Sequence, residues 1–600
     1  IPAQSILAVS DLPGMVRIEA ARMVEKNLDV ALAETQIEPK VHGASAPPYP
    51  VTGNTGAGIL VGAVDSGFDY THEDFRTSGG LSRFESIWDQ SVATLNPPVP
   101  FNYGREWTKA SLDDLTCTTT DPVGHGTHVM GIAGGNGRGT GNGYPQYQYI
   151  GVAPEASLVG VKTDYSDAGI IDGVDYIFQK ATALGMNAVV NISLGGQFGP
   201  HDGTDPFDVA VSALTGAGRI VVVSAGNERA DQIHARGQLP VDGTPSTLDM
   251  QYTIATYTRL SGAQNDLVLF DGYYESADNY SVTVISPGGQ TLGPIARGNF
   301  SSVDTPDGAI QIDNGTATSS TGDYEVFIAL YDYNQLRPPI AGVWTIRYTR
   351  VVSTNSNIDL WNYYVAGHMS GKFTTAFTPD VTIGSPGSAL EVVTVAAYTG
   401  KSSWASIDGH TYSWSPLPTL GAIAPFSSRG PLRDGTLKPD IAGPGFGVVS
   451  TLSDDVATAG NEPYIVPDGV HWIQAGTSMS SPMVTGLAGL VLRKDGALTP
   501  AQMKTELAST ARTDMYTGAV PNVDWGVGKM SGKSADMAPP VVTVTIPNGG
   551  ESLTAGATVN IMWTSFDNFV TASVDLYYST DGGATFPHVI ATGELHDGIY

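Results

Sequence analysis

The chain has a single cysteine, Cys117, in 600 residues. No disulfide can form within it, so its compartment is not readable from cysteine usage. Cationic residues are also scarce: 30 Lys and Arg stand against 59 Asp and Glu, for a formal charge of −29. Phosphate binding needs clustered Lys and Arg, so the balance argues against a nucleic-acid partner. It argues equally against docking on an anionic membrane surface. No apolar run is long enough to span a bilayer. A large negative charge instead keeps an extracellular protein soluble. No signal peptide is visible, and Ile1 and Tyr600 read as trimmed ends.

What is abundant is glycine, at 72 residues, with 38 prolines and 41% apolar residues. That combination implies many tight turns, a sizeable β content and real cores. The length implies several domains. Residues 1–45 hold a short helix-like piece, a Pro-Gly turn, a short strand and a polar stretch. Ala46-Pro-Pro-Tyr-Pro50 reads as an extended linker.

From there to residue 231 the pattern alternates. Apolar runs of strand length stand at 59–64, 157–161, 188–192 and 220–224. Helical spacing links Ile170, Val174, Ile177, Phe178, Ala181 and Leu184, and again Phe207, Ala210, Val211 and Leu214. Strands apolar on both faces, alternating with helices, predict a parallel α/β sheet. Residues 232–377 lose the helical period. Strand-like runs at 252–257, 267–270, 282–285, 323–331, 342–349 and 358–365 predict an inserted β-sandwich. The α/β pattern resumes over 378–537, beginning with the run 390–396. Residues 538–600 open with the linker Ala538-Pro-Pro540 and predict an immunoglobulin-like β domain with too few residues to be complete.

Three separated segments carry chemistry. Asp65 ends the first apolar strand, and Gly67 allows a sharp exit; ligand sites in open α/β sheets lie at strand carboxyl ends. Alone, this Asp is a turn residue. In Gly124-His125-Gly-Thr-His128, the histidines are three apart with no Glu between them, which does not match the His-Glu-x-x-His zinc pattern. His125 then reads as a base and His128 as a residue packing behind it. In Gly476-Thr-Ser478-Met-Ser-Ser-Pro482, helical apolar spacing follows at Val484, Leu487, Leu490 and Val491. Pro482 is expected in the first helical turn, which puts Ser478 at a helix N-terminus, where free N–H groups favour developing negative charge. A Ser-rich helix cap is the ordinary reading of that segment alone. Cys117 lies near His125 in sequence, but Ser478 is the better nucleophile.

Together the three motifs resemble the subtilisin family of serine proteases, in its chain order of Asp, His, Ser. The lengthened gap between Asp65 and His125 and the β insertion before Ser478 resemble the branch that includes the bacterial germination proteases. The resemblance implies a subtilisin-like α/β sheet flanked by helices and a secreted endopeptidase with Asp65, His125 and Ser478 as its triad. It implies an oxyanion donor at Asn227, in Ser224-Ala-Gly-Asn-Glu228. It implies a substrate cleft edged by Ser193, Leu194 and Gly195, and a pocket lined by Ala225 and Gly226. Glu228 stands near the base of that pocket, where a carboxylate favours basic residues; a Glu in a solvated loop is the alternative. No cofactor is needed for catalysis. Structural calcium is common in the family, and Asp74 matches a calcium ligand of many members, although the loop 136–143 departs from the usual partner loop. Polypeptide substrate and the enzyme's own prodomain are the expected partners. Residues 1 to about 40 resemble the tail of an inhibitory prodomain that the enzyme itself cuts off, which puts the mature N-terminus between about residues 27 and 47. A broad degradative protease is favoured over a maturation protease with one dedicated substrate or a silent adhesion relative.

Overall fold

The computed structural model describes residues 28–37, 42 and 53–600, apart from 264, 334–336, 367, 539, 568, 570–572 and 596–597. The helix-like piece, turn and strand expected before residue 28, and the linker at 46–50, lie outside the described residues.

Six strands come first: β1 (Ile59–Asp65), β2 (Phe84–Asp89), β3 (Arg105–Thr108), β4 (Ser157–Lys162), β5 (Asn187–Ile192) and β6 (Arg219–Ser224). Helices Asp167–Leu184 and Pro206–Leu214 alternate with them. A long insertion then contributes β7 (His234–Gln238), β8 (Thr247–Ile254), β9 (Leu267–Tyr274), β10 (Asn279–Ile285), β11 (Thr291–Ile295), β12 (Asn299–Thr305), β13 (Gly308–Thr318), β14 (Tyr324–Tyr331), β15 (Gly342–Val352), β16 (Asn357–Ala366) and β17 (Gly371–Phe373). The main body resumes with β18 (Val393–Thr399), a small hairpin of β19 (Ser403–Ala405) and β20 (Thr411–Ser413), then β21 (Ile441–Thr451) and β22 (His471–Ala475). Two antiparallel pairs end the chain: β23 (Val541–Ile546) with β24 (Met562–Phe566), and β25 (Ser573–Tyr578) with β26 (His588–Leu595).

Nine strands form one sheet in the order β22-β21-β18-β6-β5-β1-β4-β2-β3. Its pairs are parallel except at the two edges, where β3 and β22 run antiparallel. All seven residues of β1 and all seven of β18 are buried, as expected of strands covered on both faces by helices. The return of the chain to this sheet after the insertion means that β6 and β18, far apart in sequence, are direct neighbours.

The insertion forms two antiparallel sheets, of five strands (β11-β10-β15-β8-β17) and six (β12-β13-β14-β9-β16-β7). β10 alternates buried and half-buried residues, so one face packs inward and the other meets solvent. Tyr252, Phe270, Tyr280, Trp344 and Tyr348 fill the space between. Strands β7, β11, β12, β13 and β17 have no counterpart among the expected runs; β11 and β12 are largely exposed, which dilutes their apolar signal.

Ion pairs tie this insertion to the main body. Asp359 of β16 is fully buried and meets His234 Nε2 at 2.8 Å, Arg236 Nε at 2.6 Å and Arg433 Nε at 3.4 Å. Trp361 is stacked between the rings of His201 and His234, with centroids 4.1 and 4.4 Å away. The short helix Leu28–Glu34 also packs on the main body. Leu32 and Ile37 join its core, Glu34 pairs with Arg512 at 2.8 Å, and His42 Nε2 lies 2.8 Å from the Val152 carbonyl.

Candidate active site

Asp65 closes β1 and is fully buried. The Ser66 N–H donates to its Oδ1 at 2.7 Å, and His125 Nδ1 meets the same oxygen at 2.6 Å. His125 is the first residue of the helix His125–Gly134, and its side chain is 23% exposed. Glycine at 126 makes this meeting of strand end and helix start possible, because a Cβ there would stand 2.3 Å from the Gly67 carbonyl. Burial pulls the His125 pKa down, but the charge and hydrogen bond of Asp65, with the charge of Asp121, more than offset this and hold it above the usual imidazole value.

Asp121 was not found by sequence reasoning. It is fully buried, and its carboxylate accepts from the N–H groups of Gly124 and Thr127, the Thr127 hydroxyl and the Ser66 hydroxyl. Ser66 Oγ in turn accepts from the Gly126 N–H. One carboxylate therefore caps the helix that carries His125 and braces it to the strand that carries Asp65. The signal was an Asp four residues before the histidine.

Ser478 is the second residue of the helix Thr477–Lys494. Pro482 is not in the first turn, as expected from sequence, but inside the helix. A proline has no N–H to give the carbonyl four residues back, which is that of Ser478. Ser193 supplies the missing donor: its hydroxyl bonds the Ser478 carbonyl at 2.9 Å. Asn191 Nδ2 holds Ser193 Oγ at 2.9 Å from the other side. The Ser478 hydroxyl itself donates to the Ser193 carbonyl at 3.3 Å.

Asn227 follows β6. Its Oδ1 accepts from the N–H of Thr477 at 2.9 Å and from the Thr477 hydroxyl at 3.1 Å. Two donors on the oxygen fix the amide's orientation and leave Nδ2 as the donor on its other side. Asn227 and Ser478 border one cavity of about 220 Å³. Ser193, Leu194, Gly195, Gly196 and Gln197 line one side of it, and Ser224, Ala225, Gly226 and Glu228 another. Gly384 and Ser385, which carry no motif, close it. Gly195 is exposed, leaving its edge open to an incoming backbone.

Glu228 lies at this cavity with one carboxylate oxygen, Oε2, engaged by the Asn227 N–H at 2.6 Å, Gln197 Nε2 at 3.1 Å and Ser428 Oγ at 2.9 Å. Burial pushes its pKa up, against those hydrogen bonds. Asp208, beneath Ser385, is pushed up to about 7 by burial, with the Ser385 and Ser388 hydroxyls opposing.

His128 is buried, with Nε2 at 3.2 Å from the carbonyls of Val448 and Trp472, and burial lowers its pKa to about 3. Cys117 is buried and its thiol is pushed up to about 12 by burial, which leaves it unreactive.

Asp74 does not fit a cation. Its Oδ1 accepts from the Gly139 N–H at 2.8 Å, and its Oδ2 from Thr451 Oγ1 at 2.8 Å and His471 Nε2 at 2.9 Å. His471 Nδ1 faces Asp468 at 2.6 Å, so both ring nitrogens meet carboxylates and both must donate. An imidazolium occupies the place beside Asp74. Among the described residues, no group of three or more His, Cys, Asp or Glu is arranged to hold a metal ion. No helix among them is long and apolar enough to cross a membrane.

Known proteins carry the same framework. The profile of the subtilase family matches residues 56–323 and 366–530. A PII-type proteinase of Lactococcus lactis subsp. cremoris is 27% identical over 470 residues, which is 73% of this chain and 22% of that protein. The C5a peptidase of Streptococcus pyogenes is 24% identical over 540 residues, 81% of this chain and 40% of that one. The chain thus spans about a fifth of the lactococcal proteinase's length. The solved structure of the Clostridium perfringens CspB protease superposes with a TM-score of 0.63 at 24% identity, covering 80% of this chain and 93% of that one, which establishes a shared fold. The family match runs through the strand, the helix starts and the cavity described above, and the chain belongs to the subtilase family.

Proposed function

We propose that the chain is an extracellular endopeptidase that cuts polypeptides through an acyl-enzyme, with Asp65, His125 and Ser478 as its triad. The observation that carries this is the 2.6 Å bond between His125 Nδ1 and Asp65. It fixes the tautomer that leaves Nε2 free to take a proton. Ser478 Oγ leaves the Ser193 carbonyl, gives its proton to His125 and attacks the scissile carbonyl. Asn227 Nδ2, oriented by Thr477, donates to the oxyanion. His125 then protonates the leaving amine, and water reverses the sequence. These residues supply every proton transfer.

The substrate lies as an added strand on the open edge at Ser193, Leu194 and Gly195, with the residue before the cut in the cavity lined by Ala225 and Gly226. Glu228 gives the base of that cavity a polar, acceptor-rich character. The cut that releases an inhibitory prodomain falls between about residues 27 and 47. The degradative reading is favoured by the exposed edge at Gly195. The dedicated-substrate reading is favoured by the inserted sandwich, whose exit segment closes the cavity at Gly384 and Ser385.

Casein hydrolysis by the purified chain tests this. Rapid digestion to many fragments is expected of the degradative enzyme. Intact casein beside hydrolysis of short peptides assigns the dedicated role, and loss of neither activity in Ser478→Ala defeats the triad.

A further inference from the structure

Asp208 stands on the helix Pro206–Leu214 and is fully buried. Each of its carboxylate oxygens takes one serine hydroxyl: Ser385 Oγ donates to Oδ1 at 2.5 Å and Ser388 Oγ to Oδ2 at 2.7 Å. Both serines belong to the segment that leads from the inserted sandwich back into β18. Ser385 has a second attachment. It exchanges both main-chain hydrogen bonds with Gly196, each at 2.9 Å, in an antiparallel bridge. Gly196 follows directly on the strand edge offered to substrate.

The contact is tight on both sides. A Cβ on Gly195 would stand 2.8 Å from the Ser385 carbonyl, and one on Gly384 would stand 2.2 Å from the Gly196 carbonyl. No slack separates the wall at Ser385 from the cleft edge at Gly195 and Gly196. A close-packed contact of this kind transmits displacement. Whatever holds Ser385 therefore holds the spacing across the cavity, and the side-chain anchor of Ser385 is Asp208.

We propose that Asp208 is a positioning residue for the primary pocket: through Ser385 it sets the width of the slot that receives the substrate residue before the cut. The inference rests on reading the cavity beside Asn227 and Ser478 as that pocket. Asp208 touches no substrate. Its effect falls on side chains large enough to fill the slot and spares glycine, which does not enter it.

Peptide substrates that differ only in the residue before the cut (glycine, alanine, leucine or phenylalanine) are compared for the parent, Asp208→Asn and Ser385→Ala. The labelling rate of a small fluorophosphonate reads the nucleophile alone. Loss of one anchoring hydrogen bond is expected to raise KM roughly tenfold for leucine and phenylalanine substrates. In Asp208→Asn, turnover number, labelling rate and the glycine substrate should stay within about twofold of the parent, the split expected when binding alone is lost. If Asp208→Asn does not fold, Ser385→Ala carries the test. A KM for the large residues within twofold of the parent in the folded variants overturns the proposal, and so does an equal loss across all four substrates. A parent that neither labels nor cleaves overturns the reading of the cavity instead.

Discussion

His125 Nδ1 lies 2.6 Å from Oδ1 of Asp65, a carboxylate closed to solvent, where a strand end meets a helix start. That contact holds the His125 pKa above 6.5, against the burial that would lower it. A general base works only when neutral, so kcat/KM should rise with pH through this raised value. The acid limb of the pH profile is expected above 6.5 and should move down in Asp65→Asn, with kcat reduced by about 10⁴-fold. A limb that stays in place in the variant would show that Asp65 does not act on His125.

The two donors on Asn227 Oδ1 come from Thr477, the residue before the nucleophile. Asn227→Leu removes the Nδ2 donor with little change in volume. A fall in kcat of about 10²–10³ with KM nearly constant is expected, the range known for a subtilisin's oxyanion asparagine and carried over here. Steady-state kinetics on one peptide substrate would settle it; a loss confined to KM would contradict the assignment.

His471, held between Asp74 and Asp468, has its pKa pushed up to about 9: burial lowers it, and the two carboxylates more than offset that. A histidine with a raised folded pKa stabilises fully below its unfolded value near 6.5, and the contribution is lost as pH rises through 9. About 3 kcal/mol should disappear across that window. Melting curves of the parent and His471→Gln should differ widely at pH 6 and converge at pH 10. A constant difference would mean that His471 is not charged.

Asp359 answers His234, Arg236 and Arg433 at the junction of insertion and main body. Removing this buried anion leaves Arg236 without its paired carboxylate, at a cost of about 3–5 kcal/mol. Asp359→Ala should show that loss in denaturant unfolding. An unfolding midpoint equal to the parent's would show that the junction is not supported there.

The parallel sheet was legible because its strands are continuous apolar runs, and Asp65, His125 and Ser478 because each sits in a short segment with its own glycines. The insertion was legible as a break in helical period, although its exposed strands β11 and β12 were not. Asp208 and Ser385 escaped because 177 positions separate them. Nothing local marks an Asp in an amphipathic helix as the anchor of a pocket wall. Pro482 was misplaced by a turn because proline usually opens a helix, and the serine that compensates for it, Ser193, lies on another strand. Asp74 was matched by position to a cation ligand, but His471, almost four hundred residues away, supplies the positive charge.

The central claim is that Ser478 is the nucleophile activated by His125. Labelling with a fluorophosphonate probe, followed by peptide mapping, tests it most directly. One adduct on Ser478 is predicted in the parent, with none in Ser478→Ala and strongly slowed labelling in His125→Ala. An adduct on another residue, or equal labelling of parent and Ser478→Ala, would contradict the account.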